Sequence, residues 1–77
     1  MDIDLADVTI HIDQELDPAA RAELEEMFRR RDGIISAHFN EKRPHLMVCE
    51  FMPEKVNPLD LLSIVRFQGY HGELVGL

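Results

Sequence analysis

The stretch "VTIHIDQELDPAARAEL" (Val8–Leu24) decides how the chain is built. Val8, Ile10 and Ile12 alternate with Thr9 and His11, the period of a strand with one buried face. Five residues later Asp17 stands before Pro18. An aspartate accepts hydrogen bonds from the free N–H groups of a helix's first turn, and proline fits the first helical position because it has no N–H to lose. Ala20, Leu24, Met27, Phe28 and Arg31 then recur at helical spacing, and Gly33 closes the helix. A strand that hands over to a helix through a short acidic loop is half of a βαβ unit.

Working outward, "IISAHFN" (34–40) reads as a second strand, "EKRP" (41–44) as a turn and "HLMVCEF" (45–51) as a third strand. Asn57-Pro58-Leu59-Asp60 repeats the cap-and-proline device, with Asp60 where a capping box carries Glu or Gln. Leu61, Leu62 and Val65 form the apolar stripe of a second helix, which Gly69 ends, and "YHGELVGL" (70–77) is the last strand. The order βαββαβ predicts an α/β (α+β) ferredoxin-like sandwich: a four-stranded antiparallel sheet with both helices on one face. Right-handed crossovers place the first and third strands side by side in the middle. Residues 1–77 read as one domain with one core.

Charge narrows the function. The net charge is −7, and residues 1–20 hold six acids and no base. Such a surface repels phosphate, so nucleic acid is not an expected partner. The basic run "RRRD" (29–32) falls at a helix C-terminus, where cations meet the negative end of the dipole. No apolar run reaches the ~20 residues of a membrane helix, so no membrane is expected. One cysteine, Cys49, excludes an internal disulfide, and with no export signal the chain is expected in the cytoplasm. Cys49 alternates inward with Met47 and Phe51, as a buried and inert thiol. Ser36 and Ser63 have no paired base, and glycine-rich phosphate loops are absent. No enzyme and no cofactor are expected.

From Gly33 onward the chain resembles the heavy-metal-associated (HMA) domain of copper chaperones and metal-transporting ATPases. "GIISAHFN" looks like that family's strand opening after the first helix. Phe51-Met52-Pro53 stands for its Tyr-Asp-Pro-like turn, and Gly69-Tyr70 for the pair that starts its last strand. "LEEMF" (24–28) matches its first helix, so the resemblance covers nearly the full length. The family binds soft ions through Met-x-Cys-x-x-Cys, and counting back from Leu24 puts those three positions at Glu15, Asp17 and Ala20. Thiolates select soft metals, so this resemblance implies an HMA-like module that has lost the thiolate site and does not hold Cu(I). Asp13, Glu15 and Asp17 mimic the start of a calcium loop, but Pro18 and Leu24 occupy its required glycine and glutamate positions. The acids are expected instead to cap the helix, through Asp17, and to favour its positive end, through Asp13 and Glu15.

Three readings of function follow. The first is a protein-interaction or regulatory module linked to metal handling. Leu46, Val48 and Val75 have the out-facing phase, with Thr9 and His11 between them, and would form a docking surface for a protein partner or a second copy. The edge strand ending "ELVGL" carries no proline or lysine to block pairing, and the acidic N-terminal quarter would steer a basic partner. The second is a metal-binding protein with His and carboxylate ligands for Zn(II), Ni(II) or Cu(II). The end of the first strand lies beside the start of the last, which brings His11 near His71, with Glu50 and Glu73 on the same face. His45, in the turn, carries no argument. The third, a small-molecule sensor, rests on fold analogy.

Overall fold

The alternation in β1 (Ala6–Ile12) buries Ile10 and Ile12 completely, and that in β3 (Leu46–Phe51) buries Met47, Cys49 and Phe51. In the computed structural model, which describes residues 4–75, these two strands pair antiparallel at the centre of a four-stranded sheet of order β2-β3-β1-β4. β2 (Ile34–Phe39) and β4 (Gly72–Val75) are the edges. α1 (Pro18–Arg29) and α2 (Pro58–Phe67) connect them, so the order is βαββαβ as expected. β1 begins two residues earlier than the alternation indicates. Gly76 and Leu77, part of the expected last strand, and Met1–Ile3 of the acidic N-terminus lie outside the described residues.

Leu24 and Phe28 of α1 and Leu61 and Val65 of α2 meet the buried strand residues in one core. Burying a side chain such as Phe28, which has no exposed surface, stabilises the fold by roughly 1.5–3 kcal/mol. Asp17 caps α1, accepting from the Ala20 N–H at 2.7 Å. Asn57 and Asp60 form a full capping box: Asn57 Oδ1 accepts from the Asp60 N–H at 3.0 Å, and Asp60 Oδ2 from the Asn57 N–H at 3.1 Å. The shorter acid serves because the reach back to Asn57 is short. α2 ends in a Schellman motif: with Gly69 at φ +86°, Tyr70 N–H donates to Val65 O and Gly69 N–H to Arg66 O.

α1 stops at Arg29, four residues before Gly33. Gly33 instead sits at φ +97° in the connection to β2, where a Cβ would lie 2.7 Å from Lys55 Cβ and Val56 Cγ2. The backbone turns left there against the β3–α2 loop, which only glycine allows. A bulge between Ile34 and Ser36 turns Ile35 outward. The arginine run behaves as a helix terminus should: Arg29 and Arg30 pair with Glu25 and Glu26, and Arg31 with Asp60. Glu25 also accepts from the Phe39 N–H at 2.7 Å, and Arg29 donates to Ala37 O at 3.0 Å. Side chains of α1 thereby cover part of the free edge of β2.

Candidate metal centre

The end of β1, the β2–β3 turn and the α2–β4 loop meet at one end of the sheet. His11 is paired with Leu46 on one side and Glu73 on the other. Backbone bonding continues past the strands: Ile12 N–H donates to His45 O at 2.8 Å, and Asp13 N–H to His71 O at 2.9 Å. The His71 N–H in turn donates to Gln14 Oε1 at 2.8 Å. Three chain segments are thus stitched together where the sequence carries three histidines.

The side chains of His11 and His71 converge on Asp13. His71 Nδ1 lies 2.6 Å from Asp13 Oδ2, and His11 Nδ1 lies 3.2 Å from Asp13 Oδ1. Glu73 Oε1 is 3.9 Å from His71 Nδ1. Asp13, His71 and Glu73 each offer a ligand atom within 4.8 Å of the others. The hydrogen bond from His71 holds the Asp13 carboxyl below the usual carboxylate range, with a smaller push from His11. His45 Nδ1 lies 2.7 Å from Ile12 O, and its ring stacks on His11 with centroids 5.6 Å apart and planes 14° apart. The group is open to water, with the His71 side chain 62% exposed. Beside it an open hollow of about 700 Å³ is lined by His11, His45, Leu46, Glu73 and Val75 among others.

Of the residues expected to ligate metal, the structure brings together His11, His71 and Glu73. It does not bring Glu50. That residue is paired with Asp7 and Ser36, four residues along β3 from the partner of His11, which is roughly 13 Å at strand rise. The right face was expected for it, but the wrong level. Asp13, expected only to favour the positive end of α1, joins two imidazoles. Its signal was the i, i+2 spacing from His11, which carries the outer face of β1 one residue past the strand. His45 was missed because, at the junction of turn and strand, it was given no partner, although it directly precedes Leu46.

The three positions that match the thiolate motif hold no such cluster. Glu15 is exposed, the Asp17 carboxylate is committed to the Ala20 N–H, and Ala20 packs against the core. Leu46, Val48 and Val75 do share the uncovered face. Thr9 is paired with Val48 on one side and Val75 on the other, which makes a short apolar row next to His11. A larger hollow of about 820 Å³ lies over α1 and β2, but its Glu25 and Arg29 are already bonded to the β2 backbone.

No family model and no curated protein matches this chain. Solved structures do. Oxidized MerP from Ralstonia metallidurans CH34 superposes with a TM-score of 0.84 at 14% identity, over 95% of this chain and 100% of that one. The N-terminal domain of a potential copper-translocating P-type ATPase from Bacillus subtilis, in its Cu(I)-loaded state, gives 0.82 at 21% identity, over 91% and 86%. A copper binding domain from HMA7, a P-type ATPase, gives 0.82 at 14%, over 91% and 93%. The chain therefore has the fold of heavy-metal-associated domains, a ferredoxin-like sandwich. No described helix is long and apolar enough to cross a membrane.

Proposed function

We propose that this protein is a non-enzymatic metal-handling module that takes a divalent ion, Zn(II), Ni(II) or Cu(II), through imidazole and carboxylate groups instead of thiolates. The observation that carries this reading is the grouping of His71, Asp13 and Glu73, within 4.8 Å, beside His11 at one end of the sheet. Imidazole and carboxylate suit borderline divalent ions, whereas Cu(I) selects sulfur. The likeness in fold to domains described as copper-binding supports a role in metal handling. The only thiol, Cys49, has no exposed surface, and burial pushes it up to about 11, so it is neither a ready ligand nor a nucleophile. A cytoplasmic site of action belongs to the same reading.

Isothermal titration with each divalent ion tests it. One ion bound per chain, tightly enough to compete with a weak chelator, is expected. Cu(I) should pass entirely to a competitor such as bathocuproine. Absence of any divalent binding, or stoichiometric retention of Cu(I), overturns the proposal.

A second reading concerns partners. The row Val48–Thr9–Val75 on the uncovered face, with Leu46 next to it, supports docking of a protein partner or a second copy. Docking there would lie beside the metal group and would link partner choice to metal occupancy.

A further inference from the structure

We propose that β4 is a self-pairing edge: two copies of this chain join β4 to β4 in antiparallel register, once a divalent ion on Asp13, His71 and Glu73 of each copy has cancelled the charge along the seam. This rests on the metal-binding reading above and adds to it a partner and a control. The ladder shows which backbone groups are free. β4 pairs Val75 with Thr9 and Glu73 with His11, and two residues further on the Asp13 N–H donates to His71 O. Hydrogen-bonded and non-bonded pairs alternate in an antiparallel ladder. His71, Glu73 and Val75 therefore turn their backbone groups to β1, and Gly72 and Leu74 turn theirs to the free edge. Among the described residues nothing bonds those groups. The other edge differs, because Glu25 and Arg29 of α1 bond the β2 backbone at Phe39 and Ala37. A bare edge is a template for another strand, and β4 also exposes the side chains of Leu74 and Val75.

One register uses the whole edge. With Glu73 of one copy opposite Glu73 of the other, each Gly72 faces the second copy's Leu74, and both of these pairs exchange hydrogen bonds. Centring the pair one residue to either side would leave Gly72 or Leu74 opposite a residue outside β4. In the favoured register the Leu74 side chain lies beside a glycine, which leaves it room. Charge opposes this arrangement. The facing Glu73 residues form a non-bonded pair with Cα atoms ~4.5 Å apart, where like charges are destabilising. Neither β1 nor β4 carries a lysine or arginine to offset them. A bound divalent ion does offset them, because its charge cancels that of Asp13 and Glu73, whose ligand atoms lie within 4.8 Å of each other and of that of His71. Metal-free copies therefore repel along the seam and loaded copies do not. Each ion stays within its own copy. Two-fold pairing is closed, and the covered β2 edge keeps the assembly from growing.

Sedimentation velocity at neutral pH, in EDTA or with stoichiometric Zn(II), tests the inference. The wild type should be a monomer in EDTA and shift to a dimer with Zn(II). Leu74→Pro removes an outward N–H and leaves the ladder to β1 whole. It should take up Zn(II) as the wild type does in calorimetry, yet remain a monomer. Glu73→Gln removes the facing charges and should form dimers even in EDTA. A loaded wild type that stays a monomer or grows into larger aggregates, or a Leu74→Pro variant that still pairs, overturns the edge pairing while leaving the divalent-metal reading intact. A wild-type dimer in EDTA, or a Glu73→Gln monomer there, overturns the control by metal. If the wild type binds no divalent ion, both readings fall. Amide hydrogen exchange of the wild type decides the pairing if Leu74→Pro does not fold. The N–H groups of Gly72 and Leu74 should exchange more slowly once Zn(II) is added, and unchanged exchange there overturns it.

Discussion

Replacing Cys49 with alanine should give a stability difference that reverses sign with pH. The side chain has no exposed surface, and the cost of burying a thiolate pushes its pKa from 9.0 to about 11. Because the folded pKa is the higher one, the folded state keeps the thiol proton at pH values where the unfolded chain has lost it. The resulting stabilisation is complete below the unfolded value of 9.0 and is lost as pH rises towards about 11. Two units correspond to about 2.7 kcal/mol. Cys49→Ala lacks this dependence but leaves a small cavity, which costs on the order of 1–2 kcal/mol. The wild type should therefore be the more stable near pH 8, the two should match at about pH 10, and the variant should lead above that.

Equilibrium unfolding in urea at several pH values measures the difference directly, because pH effects on the other groups are shared by both proteins. A companion experiment follows the reaction of native Cys49 with a thiol reagent, which should proceed only through opening of the structure. A constant difference from about pH 8 to 11, or rapid native labelling, would refute the reasoning. It would mean that Cys49 faces water. Cys49 is paired with Val8 and Ala37, so a slip of one residue in β3 would turn Met47, Cys49 and Phe51 out and move Leu46 away from His11. The placing of His45 over His11 depends on that register.

Gly33→Ala should cost about 2–4 kcal/mol by thermal or chemical unfolding, combining left-handed strain with overlap against Lys55 and Val56. Gly69→Ala, at φ +86° but with open space around the added Cβ, should cost only about 1–2 kcal/mol, and equal losses at the two sites would refute the steric part. Val48→Lys should leave the fold intact, because Val48 stands on the uncovered face, and should weaken any self-association seen by light scattering. Unfolding of that variant would reverse the face assignment, and unchanged association would remove the docking surface.

The fold was legible because its signals are local and repeated. Alternation in Val8–Ile12, cap-and-proline pairs at Asp17-Pro18 and Asn57-Pro58, and glycines at 33 and 69 each punctuate the chain without knowledge of its partners. Topology then follows, since right-handed crossovers leave few ways to close βαββαβ. The site was legible only in part. His11, His71 and Glu73 could be placed together from strand order and phase. Glu50 could not be excluded, because phase fixes the face of a sheet but not the level along it; only the pairing His11–Leu46 does that. Asp13 and His45 lie just beyond strand ends, where alternation no longer states direction. Hydrogen bonds across 58 residues, from His71 to Asp13, and across 33, from His45 to Ile12, set those side chains. The chemistry of the site therefore sits where the chain's local rules stop, at the meeting of three segments, and the same turns that hid it from the sequence are what hold its side chains together.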